Sequence, residues 1–277
     1  FVDFNRPLVA GNQWEQAADS MYTLCGKDRI HPSTDGHLVM AYLFLKAQGL
    51  AGKPVADIRI DGAGKKVTRS DNCRVSDLSV SSDNLTFTYE AKSLPYPIDT
   101  SYYDNEKHTQ ADALSVIPFV DEMNYEGLSV SGLSDGYYGL TIGGEFIGRF
   151  TARELERGIN MALLQNTPQY KQAMKIRQMN EERWLKERKM REFYWVEYNL
   201  MRKTGMLWAC NEAAVDTLRK YRPHDIFLQW NGDLWLQYMH KGIREDCVNE
   251  QQDLVNQIYE QNKPIPLRIE IKKFTDL

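Results

Sequence analysis

No apolar run in this sequence approaches the roughly 18 residues expected of a membrane-spanning helix. No basic stretch followed by an apolar one opens the chain as a signal peptide would, so the sequence reads as soluble. Cysteine is scarce: Cys25, Cys73, Cys210 and Cys247 are widely spaced, with no CxxC pair and no histidine at zinc-ligand distance. That pattern argues against a zinc site and against a catalytic thiol; it favours structural thiols and leaves one or two disulfides open. Basic charge is also short. Lys and Arg number 34 against 38 Asp and Glu, giving a net charge of -4 and a pI near 5.8. A nucleic-acid partner needs a basic surface that this balance does not supply, whereas small or neutral substrates fit it. There is no internal repeat and no low-complexity tract.

What is present describes a globular protein. At 277 residues, 42% hydrophobic and 26% charged, the chain can bury one large core or two ordinary ones. Phe1-Val2-Asp3-Phe4 reads as the end of a strand rather than a natural amino terminus, so a truncated or processed chain is expected. Any export signal is then expected upstream of Phe1.

Trp14, Ala17, Ala18, Met21 and Tyr22 recur at three- and four-residue spacings and predict a short helix between Asn5 and Leu24. A second helix is predicted from Thr34 to Gln48, capped by Ser33 or Thr34, with Leu38, Ala41, Tyr42 and Leu45 on one face and Gly49 ending it. From Ala51 the pattern becomes strand-like: Ala56 to Ile60, Val75 to Val80, Leu85 to Tyr89, Leu128 to Val130, Tyr137 to Ile142 and Glu145 to Phe150. These predict a small, mostly antiparallel β unit, interrupted by a long tyrosine-rich loop from Leu94 to about Asp112.

Thr151 and Glu154 form a capping box ahead of a helix with Leu155, Ile159 and Leu163 on one face. Asn166-Thr167-Pro168 then opens a helix running from Gln169 to about Lys203, roughly nine turns. On it Trp184, Leu185, Arg188, Arg191, Trp195 and Tyr198 predict a side buried against a returning helix from Met206 to Tyr221. Asp225 to Gly242 is expected to fold around an Asn231-Gly232 turn, Glu245 to Gln261 to be helical, and Pro264 to Phe274 to be a strand.

The chemistry concentrates in Asp28-Arg29-Ile30-His31-Pro32. A histidine base in acyl transfer keeps one nitrogen free for the nucleophile's proton, while the other donates to a carboxylate that fixes its tautomer. Three residues of turn allow Asp28 and His31 to make that bond locally. The plainer alternative is that Asp28 caps a turn and His31 packs over the next helix.

The context carries a resemblance. The Asp3-containing segment, a short helix, Asp28 to Ser33, and Gly36-His37 leading into Leu38-Val39-Met40-Ala41 together resemble the last block of the SGNH/GDSL hydrolase superfamily. The resemblance covers about the first fifty residues. It implies a flavodoxin-like α/β fold, with Asp28 as orienting acid and His31 as general base of a Ser-Asp-His triad and no metal or organic cofactor. The family's nucleophile, glycine and G-x-N-D blocks are not found in the sequence, which implies that the serine lies outside it. Leu128 through Ala162 also resembles an extension found behind this block in some bacterial members, in which Gly132 and Gly136 mark turns and Gly158 a close helix approach.

A literal G-x-S-x-G occurs at Gly132 to Gly136, but strand-like segments on both sides predict a hairpin rather than a nucleophile elbow, so Ser134 is not taken as the nucleophile. Tyr96, Tyr102, Tyr103, Tyr125, Tyr137 and Tyr138 are read as packing residues first and a sugar-stacking surface second. The Lys- and Arg-rich helix, interleaved with glutamates, reads as a solvated or helix-pairing face. His108, His224 and His240 have no partner in the sequence.

The expected organisation is therefore the carboxy-terminal part of an α/β SGNH hydrolase domain over 1–50, the β unit over 51–150, a helical region over 151–263 and a terminal strand over 264–277. Two functions compete. One is an esterase of SGNH/GDSL type removing acyl, chiefly acetyl, groups from carbohydrate esters. The other is a non-catalytic glycan-binding or assembly module whose helical hairpin pairs with a second copy. The resemblance to carbohydrate-active bacterial members further implies a periplasmic or extracellular location.

Overall fold

The computed structural model describes residues 2–26, 28–101 and 108–274. These fall into two compact units: residues 1–173 with 263–277, and residues 174–262.

The first unit opens with helix α1 (Asn5–Gln16) and helix α2 (Thr34–Ala47). Residues 2–4 form no strand, contrary to the expectation for Phe1 to Phe4; Phe1 itself lies outside the described residues. The Asp3 carboxylate instead accepts the Arg6 N–H at 3.2 Å, at the start of α1. The predicted Gly49 terminator does follow α2, at φ 74°.

Strands β1 (Ala56–Asp61), β2 (Lys66–Asp71), β3 (Cys73–Val80) and β4 (Asn84–Ala91) follow, then the short helix α3 (Phe119–Met123). Next come β5 (Glu126–Ser131), β6 (Tyr137–Ile142), β7 (Glu145–Thr151), α4 (Ala152–Arg157) and the two-residue β8 (Ile159–Asn160). Strand β9 (Leu267–Lys273) comes from the far end of the chain. One sheet has the order β2-β1-β5-β8 and the other β3-β4-β9-β6-β7. The second is antiparallel throughout, and β9 lies at its centre, hydrogen-bonded to β4 and β6. In the first, β1 and β5 run parallel. A flavodoxin-like parallel sheet is not what these described strands build.

Period-two alternation places Leu85, Phe87 and Tyr89 of β4 in the core with Ile269 and Ile271 of β9, Leu140 and Ile142 of β6, and Ile58, Ile60 and Leu128 from the other sheet. A second core gathers Tyr22, Leu24, Leu38, Val39 and Tyr42 beneath the segment that joins α1 to α2.

The predicted helix through Leu155, Ile159 and Leu163 stops early. Gly158 sits at φ 96°, a left-handed value that favours glycine, and the next residue pairs as a strand, Ile159 with Leu128. The Thr151–Glu154 capping box is formed.

Helix α5 (Pro168–Val196) starts at the predicted proline and passes into a π-helical segment, Glu197–Met201. In the second unit it is followed by α6 (Glu212–Tyr221), α7 (Ile226–Tyr238) and α8 (Lys241–Gln261). The expected Asn231-Gly232 turn is absent because both residues lie inside α7. Asp225 caps that helix by accepting from Phe227 N and Leu228 N, and a Cβ at Gly232 would meet the Arg222 guanidinium at 3.2 Å.

The phase of α5 also differs from the prediction. Met190, Phe193 and Val196 form its buried stripe, continued by Leu200 and Met201 of the π-helical segment, with Leu218, Leu228 and Trp235. Trp184, Leu185 and Tyr198, predicted to be covered, are 47%, 51% and 45% exposed. Aromatic spacing alone does not distinguish a buried stripe from the neighbouring one when both carry large rings.

Candidate active site

The described residues between Cys25 and Pro32 close a small loop between α1 and α2. Ser33 N donates to Leu24 O at 3.0 Å, Gly26 N to His31 O at 2.7 Å, and Cys25 bridges Pro32. At the tip, Arg29 adopts a left-handed φ of 57°, which turns the chain sharply enough for Asp28 to face back toward His31.

Both oxygens of the Asp28 carboxylate are engaged. Its Oδ1 receives Ile30 N at 2.9 Å and His31 N at 3.1 Å, and its Oδ2 lies 2.5 Å from His31 Nδ1. The imidazole bond, then the two amide N–H groups, lower the Asp28 pKa to about 2. A carboxylate that remains ionised accepts the Nδ1 proton, leaving Nε2 to exchange a proton elsewhere. The His31 and Asp28 side chains are 83% and 47% exposed.

A buried carboxylate fixes the exit of this loop. Asp35, fully buried at the start of α2, accepts from Ser33 Oγ, from Gly36 N at 2.8 Å and from Tyr22 Oη at 3.3 Å. Burial, together with the Asp35 charge, raises the Tyr22 pKa. His108 Nδ1 stands 3.7 Å from the same carboxylate, and its ring meets Tyr22 edge-on at 5.1 Å. The Ser33-x-Asp35 spacing was the only sequence signal for Asp35, and His108 had none. Gly36 is required by close approach: a Cβ there would lie 2.0 Å from Leu24 O.

The other sequence candidates stand apart from this loop. The segment around Ser134 is not the predicted hairpin, because β5 and β6 belong to different sheets. Neither is it a strand-turn-helix elbow. Ser134 Oγ receives Lys273 Nζ at 2.8 Å and lies 3.1 Å from the Tyr138 hydroxyl. These partners include no carboxylate–histidine pair to take its proton. Of the tyrosines, Tyr138 is buried, Tyr137 carries the Arg149 guanidinium 3.8 Å from its ring centre, and Tyr96 packs edge-on to Phe119. Tyr102 and Tyr103 lie outside the described residues. His224 is exposed, and His240 Nδ1 lies 3.3 Å from the exposed Cys210 Sγ. All four cysteines are free.

The charged face of α5 is laced by ion pairs one turn apart, Arg177–Glu181, Lys186–Glu182, Arg188–Glu192 and Arg191–Glu187. Glu197, in the π-helical segment, is buried and accepts Trp235 Nε1 and Trp208 N, each at 2.8 Å. Among the described residues, no helix is long and apolar enough to cross a membrane, and no group of three or more His, Cys, Asp or Glu could hold a metal ion.

Comparison with known proteins adds two findings. Residues 174–263, nearly the second unit, match the family model of the diltiazem deacetylase C-terminal helical domain. The whole chain is similar to the solved structure of a gut microbial diltiazem-metabolizing enzyme, at 41% identity and a TM-score of 0.93. The alignment covers 99% of this chain and 62% of that one, so the chain spans less than two thirds of its length. No curated protein matches the sequence.

Proposed function

We propose that the protein acts in ester hydrolysis as a deacetylase of SGNH/GDSL type, with His31 as general base and Asp28 as its orienting acid. The single observation that carries the reading is the 2.5 Å contact between His31 Nδ1 and Oδ2 of a carboxylate whose other oxygen, Oδ1, is the loop's backbone acceptor. The matched family description, a deacetylase, supports the reaction class. The Asp28-to-His37 block supports the SGNH type.

In this mechanism His31 Nε2 takes the proton of a serine hydroxyl as its oxygen attacks the acetyl carbonyl carbon. Asp28 stabilises the imidazolium that forms. Collapse of the tetrahedral oxyanion expels the alcohol, which leaves with the proton held on His31. Water then attacks the acetyl-enzyme, giving its proton to His31, and acetate departs as the serine is regenerated. No serine hydroxyl is among the described contacts of His31, so the nucleophile is assigned by resemblance to a residue outside this sequence. Acetyl esters of carbohydrates are the proposed substrates.

The test is acetate release from a small acetyl ester and from an acetylated saccharide by the intact protein and its His31→Ala variant. Loss of both activities with unchanged circular dichroism supports the reading. Full activity of the variant contradicts it.

A further inference from the structure

Helix α2 is apolar on every side and covered on only one. Eight successive apolar residues, Leu38 to Leu45, follow the His31 loop. Leu38, Val39 and Tyr42 reach the core beneath that loop, whereas Ala41 and Phe44 are exposed and Met40 and Leu45 half-buried. A helix hydrophobic all round is one that its neighbours enclose. Helix α1 is more open still, since none of its 12 residues is buried. Its inner side is fixed, for Asn12 Oδ1 accepts Leu24 N and Gln16 Nε2 donates to Tyr22 O, each at 2.8 Å. Its outer side carries Val9, Ala10 and Trp14, the last 77% exposed.

Met21 and Ile30, between the two helices, are exposed as well, and Ile30 adjoins His31 in the loop. With Val9, Trp14, Phe44 and Leu50 they make six exposed large apolar side chains within residues 9–50, as many as all other described residues of the first unit show. A concentration of this kind marks a surface that another polypeptide covers.

We infer that the outer sides of α1 and α2 are the seat of a serine-bearing segment of the same protein, packed there so that its nucleophile meets His31 Nε2. The inference rests on the esterase reading and deepens it by locating the partner of the Asp28–His31 pair. Three observations choose this occupant. The first is position: the pair lies within the apolar surface, and Asp28 engages Nδ1, which leaves Nε2 for the covering segment. The second is character. From Ser33 to Leu45 the sole Asp, Glu, Lys or Arg is the buried Asp35, so the open side of α2 suits an apolar face, as in a domain core cut in half, rather than a charged transient partner. The third is size. The similar diltiazem-metabolizing enzyme extends more than a third of its length beyond the alignment. By proportion that is roughly 170 residues, enough for a layered unit of its own. An isologous contact between two copies would instead set one His31 loop against another.

The experiment is hydroxyl-radical footprinting of the 277-residue chain and of the protein extended to include the serine-bearing segment, read by mass spectrometry at Trp14 and Met21. Trp230, 66% exposed in the second unit, is the internal standard. Trp14 and Met21 should oxidise readily in the shorter chain and lose most of that oxidation in the longer one. A Trp14→Glu/Phe44→Glu double variant should leave the melting temperature of the shorter chain unchanged, because both positions are open there, and lower that of the longer protein by at least about 4 °C. Equal oxidation in the two proteins, or no effect of the double variant on the longer one, overturns the inference. Protection that grows with the concentration of the shorter chain alone also overturns it, by making the surface a contact between copies. Esterase activity of the longer protein separates this inference from the reading beneath it. Activity lost in His31→Ala with Trp14 still open refutes only the docking surface; Trp14 protected with activity indifferent to His31 refutes the esterase assignment.

Discussion

His31 and Asp28 are joined twice: the imidazole Nδ1 lies 2.5 Å from Oδ2 of the carboxylate, while the backbone N–H of the same histidine donates to Oδ1 at 3.1 Å. One carboxylate therefore sets both the loop conformation and the imidazole orientation. Because its pKa is held near 2, the acceptor remains charged throughout the neutral range.

Asp28→Asn keeps an oxygen acceptor for the two amides but can turn an NH2 group toward Nδ1, which disfavours the productive tautomer. The expected outcome is a fall in kcat of about 10²–10⁴ with little change in KM. Because Asp28 is exposed, the melting temperature at neutral pH should barely move. Linkage has a defined sign here. The folded pKa is depressed, so the stabilisation is present above the unfolded value and is lost as pH falls from about 3.8 toward about 2. Steady-state kinetics and a thermal melt separate the two effects.

Gly36→Ala places a methyl group 2.0 Å from Leu24 O, where only backbone movement can relieve the clash. A loss of about 1–3 kcal/mol is expected, together with displacement of the loop that carries Asp28 and His31. Gly242→Ala is the matched control, since nothing lies within 4 Å of its added Cβ and it sits inside α8. That substitution should stabilise the protein slightly. Chemical denaturation of both variants checks the contrast.

Glu126 is buried in the first unit, where it accepts Tyr89 Oη at 2.8 Å and Gln169 Nε2 at 3.3 Å, with no cation beside it. Burial raises its pKa to about 7. Its Oε2 and Gln169 Oε1 are buried without partners. A raised carboxyl pKa means that the folded state binds the extra proton, so stability falls as pH rises from about 4.5 through about 7 and then levels off. Glu126→Gln removes the buried charge and supplies an NH2 donor. It should raise the melting temperature at pH 8, leave it nearly unchanged at pH 4, and flatten the profile between; melts across that range decide.

Glu197 holds two donors, Trp208 N and Trp235 Nε1, and Trp208 itself is kept at a left-handed φ of 62°. Glu197→Leu orphans both donors in a buried setting, at roughly 1–3 kcal/mol for each unsatisfied group. The strained Trp208 segment should loosen first. Hydrogen exchange localised to residues around Trp208, preceding global unfolding, is the expected signature.

Local chemistry was the readable part of the sequence. The Thr151–Glu154 box, Pro168 at a helix start, Gly49 at a helix end and the strand-like run Tyr137 to Ile142 each act within one turn or one strand, and each element is found. The β2 strand escaped because Lys66 to Asp71 is polar and mostly exposed, with no buried face to create a period. The division into two sheets escaped because pairing partners such as Phe87 and Ile269 are far apart in sequence. The Asp28–His31 contact was legible as a three-residue spacing. Asp35 and His108 were not, since what joins them is tertiary packing around Tyr22. On α5, two adjacent stripes carry large aromatic residues, and only the positions of α6 and α7 choose between them.

The central claim is that His31 activates a serine in ester hydrolysis, and labelling with a fluorophosphonate tests it most directly. Attack by an activated serine oxygen on phosphorus expels fluoride and leaves a stable adduct that intact-mass measurement detects. A protein that includes the serine-bearing segment assigned outside this sequence should gain one adduct, and its His31→Ala variant should label at least about a hundredfold more slowly, the lower end of what a positioned general base contributes. Equal labelling of the two proteins, or labelling of neither, would contradict the assignment.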